Sequence, residues 1–172
     1  MKKNTNKDSS QKSKLEGKPV SASRTTMTEI VLPSHTNQLG TIFGGQIMAW
    51  IDIAGAIAAT RHARSVCVTA SIDNLNFVAG ARTGDAVNFN ASVNFSHKTS
   101  MEVGVRVESE NGLTGERKHI ATAYLTFVAL DENLRPKAVP PLLTETAAEK
   151  RRYENAKLRR EARLKLKQQL NR

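Results

Sequence analysis

Between Ile42 and Ala59 the chain holds one ionisable group, Asp52. Ile, Ala and Gly fall on every side of a helix drawn over this run. Such a helix is apolar all round and is predicted to be buried. A carboxylate inside it is costly unless it is paired, hydrogen-bonded or protonated. It is therefore kept for chemistry or for a specific polar contact, and an acid capped by backbone or by a neighbouring hydroxyl is the structural alternative. Just upstream, Gly44-Gly45 removes side chains where the helix begins. That leaves its first N–H groups open to an anionic or polar ligand, although paired glycines also start ordinary helices and turns. The run approaches the roughly 20 residues of a membrane span. Gln46, Asp52, the many small residues and the polar alternating sequence that follows argue against one.

The 172 residues are enough for one domain with tails and a single core. Their net charge of +10 is concentrated at the ends. Residues 1–24 hold seven Lys/Arg against two acids, residues 25–144 nine against ten, and residues 145–172 ten against four. A near-neutral middle argues against a specific nucleic-acid binder, which carries its basic patch on the folded face. Cys67 is the sole cysteine, so neither a disulfide framework nor a thiolate metal cluster is expected. Its setting between Val66 and Val68 reads as a small residue in a buried strand. No apolar segment follows Lys2-Lys3, and residues 1–22 show no amphipathic stripe, so a reducing cytoplasm is the expected compartment.

Residues 1–23 are rich in Lys, Ser, Asn and Gln and are predicted to be disordered. Thr25–Leu32 alternates as an opening strand and ends at Pro33. A polar loop leads to the helix, which is predicted to end near Arg61-His62, where cations suit its C-terminal dipole. Ser65–Phe77 reads as a long strand, and Val87–His97, Met101–Val107 and His119–Leu130 as three more, separated by turns at Gly84-Asp85 and Asn111-Gly112. One strand, one buried helix and four strands give an α+β fold, a meandering antiparallel sheet with the helix on one face. A sheet covers only part of a helix that is apolar all round, so a second copy of the chain is expected to cover the rest.

With this order in view the sequence resembles the hotdog-fold acyl-CoA thioesterases, and within them the bacterial short-chain acyl-CoA hydrolases and the cytosolic acyl-CoA hydrolases of animals. The resemblance is carried by Asn37-Gln-Leu-Gly-Thr-Ile-Phe-Gly-Gly45, Trp50-Ile-Asp52, Ala54-Gly-Ala56, Asp73-Asn-Leu-Asn-Phe77, Gly84-Asp85 and Thr126-Phe-Val-Ala-Leu-Asp131, over roughly residues 25–142. One departure is Gly80, where the family often has proline. The resemblance implies an antiparallel sheet wrapped round one central helix, and hydrolysis of a thioester to a carboxylic acid and free CoA. It implies Asp52 as general base on water, or as the attacking group itself, with Asn37 of the partner subunit orienting water or the thioester. The amides near Gly44 and Gly45 would hold the developing oxyanion. CoA is substrate, and no further cofactor is implied. The minimum unit implied is a homodimer, with a higher assembly such as a hexamer built from dimers.

The phosphates of CoA need basic residues, and His97-Lys98-Thr99-Ser100, between two strands, is the candidate by resemblance, an ordinary hairpin turn being its structural alternative, with Arg61 and Arg64 as further candidates. Domain boundaries are expected at 1–23, 24–142 and 143–172. The last segment is predicted to be a helix capped by Thr144, with early acids, late cations and only a thin apolar stripe, so its packing on the body is expected to be modest. A solvated extension, a clamp on CoA phosphates, an oligomer contact and attraction to anionic lipid or RNA all fit that composition. The rival class is a non-catalytic hotdog module that binds an acyl ligand or nucleic acid, and the presence of both Asn37 and Asp52 counts against it. A hotdog dehydratase would pair a His with an acid, but no His lies between Asn37 and Asp52. His35, His62, His97 and His119 lack metal-ligand spacing, and no Gly-x-Ser-x-Gly elbow or complete phosphate-binding loop occurs.

Overall fold

Apolar alternation sets the large strands, and a computed structural model describing residues 15–73 and 75–170 shows how they pair. In chain order the elements are β1 (Lys18–Pro19), β2 (Thr25–Ile30), α1 (Gly44–Ala63), β3 (Val66–Ile72), β4 (Asn76–Phe77), β5 (Ala86–His97), β6 (Ser100–Glu110), β7 (Arg117–Leu130), β8 (Leu142–Leu143) and α2 (Ala147–Leu170). The main sheet has strand order β2-β5-β6-β7-β3, with β4 also on β7, and every pair in it is antiparallel. In register, Val103 faces Val93 on one side and Leu125 on the other. Period-2 alternation sends Val87, Phe89, Ala91, Val93, Val103, Val105, Leu125 and Phe127 to one face, where all are buried.

Helix α1 lies on that face and contributes Ile47, Trp50, Ile51, Ala54, Ala58 and Ala59 to the same core. Its small residues allow a close crossing: a Cβ added at Gly55 would stand 3.0 Å from the Phe127 ring. This is the α+β arrangement expected, one curled antiparallel sheet about one apolar helix.

Three expectations need correction. The long strand over Ser65–Phe77 is two, because β3 carries a register shift between Thr69 and Ser71 and β4 pairs separately with β7. Disorder over 1–23 does not hold for residues 15–23, although residues 1–14 lie outside the described residues. Val20 and Ser23 are buried, Ser23 Oγ accepts from the Val93 amide at 3.0 Å, and β1 pairs in parallel with β8. Polar composition hid this, since one valine and one serine suffice to fasten the segment.

The third correction concerns α2, whose packing is not modest. Glu102 and Tyr124 alternate with the core residues Val103 and Leu125, so they project from the face away from α1. There Arg159 makes hydrogen bonds of 2.7 and 3.1 Å to the carboxylate of Glu102, which is 3% exposed, and lies 3.6 Å from the Tyr124 ring centroid. Arg163 holds both oxygens of Asp73 at 2.6 and 2.8 Å, and Tyr153 meets Phe95 edge-on. Long cationic stems cover surface that an apolar-stripe count ignores. The helix is capped by Thr146 rather than Thr144. Thr146 Oγ1 accepts from the Glu149 amide, and the Glu149 carboxylate accepts from the amides of Glu145 and Thr146.

Candidate active site

Asp52 sits on the flank of α1 that faces β3, half-buried rather than buried. Met48, one turn before it, is exposed, Ile53 and Ile57 are exposed a quarter turn or more further round α1, and beside Asp52 the edge strand β3 exposes Val66, Val68 and Ile72. Apolar groups therefore surround Asp52 as the sequence predicts, but a single chain does not close over them. Thr69 Oγ1 donates to Asp52 Oδ1 at 2.5 Å. This length is typical of a hydroxyl bound to a carboxylate.

Sequence reasoning missed Thr69 by position. A hydroxyl capping Asp52 is what the structural alternative expects, but nothing local distinguishes this threonine from the others. The register of β3 against β7, with its shift directly after Thr69, aims the hydroxyl at α1. Cys67 does not lie in the buried strand expected: β3 is an edge strand with Val66 and Val68 exposed and Cys67 half-buried, and that partial burial pushes its thiol above the usual value.

The N-terminus of α1 is bare. Phe43 takes the cap position in an extended conformation with no side-chain hydrogen bond to the helix. The first bonds run from the amides of Gln46 and Ile47 to Phe43 O, and the Gly44 and Gly45 amides have no acceptor among the described residues. Two donors thus point outward at the positive end of the helix dipole.

Asn37 belongs to the loop before α1. Its Oδ1 accepts from the Leu39 amide at 2.9 Å and from Thr41 Oγ1 at 3.2 Å, and its own N–H bonds Thr41 O at 2.8 Å. With the oxygen engaged in the turn, Nδ2 is the group left to donate. Asn37 lines a depression of about 470 Å³ with Thr36, Gln38, Leu39 and Phe43. No hydrogen bond joins it to Asp52 of the same chain among the described residues.

The candidate CoA-binding residues gather at the other end of α1. Lys98 and Thr99 form the β5–β6 turn, with Lys98 at φ 45° and its carbonyl held by the Val139 amide. Ser100 Oγ donates to His97 O at 3.3 Å. Arg64 caps the C-terminus of α1 in the left-handed conformation and is exposed. Arg61 is engaged with Arg24 O at 2.6 Å and Thr25 Oγ1 at 3.0 Å. Within one chain none of these reaches the glycine pair, since sixteen residues of helix from Gly45 to Arg61 span about 24 Å. Among the described residues no group of three His, Cys, Asp or Glu could hold a metal, and no helix is long and apolar enough to cross a membrane.

A carboxylate held by a hydroxyl, together with a bare helix start, is equipment for activating water and for holding the oxygen of the carbonyl it attacks. Residues 39–116 match the thioesterase superfamily. The uncharacterized acyl-CoA thioester hydrolase YkhA of Bacillus subtilis is 42% identical over 127 residues, 74% of either protein. An apo-hexameric acyl-CoA thioesterase of known structure is 49% identical, with a TM-score of 0.85 over 88% of this chain and 97% of that one. The acyl-CoA hydrolase of Staphylococcus aureus, solved with butyryl coenzyme A and coenzyme A, is 37% identical, with a TM-score of 0.80 over 90% of this chain and 96% of that one. Its structure is also known for three alanine variants, at an Asn, an Asp and a Thr spaced by 15 and 17 positions, the spacing of Asn37, Asp52 and Thr69. Some animal relatives are much longer, and the chain spans 25% of mouse acyl-coenzyme A thioesterase 11. The chain belongs to the thioesterase superfamily and, within it, to the acyl-CoA thioester hydrolases.

Proposed function

We propose that the protein hydrolyses the thioester of acyl-CoA at a site shared between two chains, with Asp52 as general base and Asn37 supplied by the partner. Geometry within one chain supports the sharing. A carbonyl under attack must lie about 3 Å from its oxyanion donors and within reach of the water that the base activates. Seven residues of helix separate Gly45 from Asp52, about 10 Å along the axis. The glycine pair of one chain and the acid of another can meet if two helices face each other. The exposed apolar flank of α1 and the unpaired edge of β3 are the surfaces such a dimer would cover.

The steps then follow. Thr69 fixes the Asp52 carboxylate, which takes a proton from water as that water attacks the thioester carbon. The negative oxygen falls to the Gly44 and Gly45 amides, each donor contributing on the order of 3 kcal/mol. Asn37 Nδ2 orients the water or bonds the carbonyl oxygen. Collapse expels CoA as thiolate, and the proton on Asp52 is returned to it. Direct attack by Asp52 would form an anhydride instead, and single turnover in ¹⁸O-water would place label in the aspartate when water opens that anhydride at the aspartyl carbonyl. Lys98, Thr99, Ser100, Arg61 and Arg64 are assigned to the CoA phosphates. Residues 24–142 form the catalytic unit, and α2 is an extension fastened to it. A hexamer built from dimers extends the reading to assembly.

The observation that carries the proposal is the Thr69–Asp52 hydrogen bond on the uncovered flank of α1. A hydroxyl-capped acid alone also fits a structural role; the bare Gly44–Gly45 helix start and the Asn, Asp and Thr spacing shared with the Staphylococcus aureus hydrolase favour the catalytic one. The test is Asp52→Asn, assayed by thiol release from acyl-CoA. Turnover is expected to drop by about two orders of magnitude or more, the contribution of a positioned base, and near-normal turnover would remove Asp52 from the mechanism.

A further inference from the structure

The glycine pair is bracketed by two aromatic rings. A Cβ built on Gly44 would meet the Phe77 ring at 3.4 and 3.6 Å, and one on Gly45 would meet the Phe43 ring at 3.3 and 3.5 Å. Each ring thus borders the bare backbone of one glycine in the first turn of α1. Both remain open to solvent, Phe43 by 60% and Phe77 by 44%. Large aromatic surface left wet beside a reacting centre is ready for an apolar partner.

Position tells which partner. A carbonyl oxygen held by the Gly44 and Gly45 amides sits about 3 Å from those nitrogens. The two other substituents of its carbon must leave through the space the rings border. One is sulfur, carrying the polar CoA arm, and the other is the acyl chain. Phe43 shares its depression with Thr36, Asn37, Gln38 and Leu39, none of them charged. An acyl group ending in a carboxylate would find no cation there. The rings are also held from behind. The Phe43 amide bonds His35 O at 2.8 Å, Phe77 pairs with Ala121 on β7, and the next amide, Val78, bonds Ile120 O at 2.9 Å. Side-chain rotation is open to them, but withdrawal of the backbone is not.

We propose that Phe43 and Phe77 are specificity-determining residues that select an unsubstituted, apolar acyl chain and limit its length. The assignment rests on the catalytic reading for the position of the thioester and adds the substrate class. Its test compares kcat/KM of the full chain and of Phe43→Ala and Phe77→Ala on acetyl-, butyryl-, octanoyl-, palmitoyl- and succinyl-CoA. Phe43→Leu and Phe77→Leu serve where the alanine variants do not fold. The unmodified chain should favour butyryl- over succinyl-CoA by at least about tenfold. Shortening either ring should move the octanoyl-to-butyryl ratio by at least about tenfold, the range for one or more methylenes in an apolar pocket. Ratios that stay within about twofold in folded variants of both residues overturn the assignment. Asp52→Asn is run on the same substrates. If it is inactive and the ratios do not move, only the specificity assignment falls; if it is active, the catalytic reading falls first.

Discussion

Replacing Thr69 by valine removes one hydroxyl and keeps the β-branched shape that suits the edge strand. What is lost is the 2.5 Å hydrogen bond to Asp52 Oδ1. A hydrogen bond to a charged group is worth about 1.5–3 kcal/mol. Thr69 is exposed in the single chain and Asp52 half-buried, so water can take over part of the role and the lower half of that range applies. About 1.5–2 kcal/mol of lost positioning corresponds to a roughly 10- to 30-fold decrease in kcat. Because Thr69 touches the acid and not the substrate, KM should change by less than about threefold. Thr69→Ser should recover most of the rate, which a purely structural role of the methyl group would not allow. Steady-state thiol release with acyl-CoA gives both constants. A Thr69→Val enzyme within about twofold of the unmodified kcat, or a serine variant no better than valine, refutes the reasoning.

Two further outcomes concern the frame of the site. At Gly55 a Cβ would stand 3.0 and 3.1 Å from the Phe127 ring, so Gly55→Val should cost about 1–3 kcal/mol of stability by overpacking. Thermal melting should show this as a drop of about 3–10 °C, and an unchanged midpoint contradicts the close crossing of α1 over β7. Two of the groups that set how stability varies with pH are His62 and Glu149. Burial lowers the pKa of His62 in the folded chain, so below about pH 6.5 the unfolded chain takes a proton that the folded one resists, and stability falls. The Glu149 carboxyl is held low by the amides of Glu145 and Thr146, so it adds stability above its unfolded value, about pH 4.3, and loses it as pH falls further. Denaturant titrations from about pH 8 to about pH 2 should show both steps, and His62→Asn should reduce the first.

Much of the frame was legible because it rests on local periodicity. Alternation at Val87–Phe95 and Met101–Val107 marks two strands to within a few residues, and the uncharged run around Asp52 marks α1. Legibility ended where a long-range register decides. Thr69 is one threonine among many until β3 pairs with β7 and turns it toward α1. Lys18-Pro19 carries no strand signal and is ordered by Leu142-Leu143, more than a hundred residues away. Helix α2 reads as a solvated extension because its anchors, Arg159 and Arg163, are charged residues whose partners lie on the sheet and on the stretch after β3. Asp52 is half-buried for a related reason: the packing of α1 on β3 covers only one side of its apolar setting.

The most direct measurement mixes two defects. Asn37→Ala and Asp52→Asn chains, each inactive alone, are co-expressed with different tags, and the mixed oligomer is isolated and assayed. If each site takes its asparagine and its aspartate from different chains, a mixed dimer has one site with both defects and one with neither. The isolated mixed dimer should then recover about half of the unmodified activity, since one of its two sites is intact. If the mixture stays as inactive as its parents, the site is not shared between chains, and the account is contradicted at its centre.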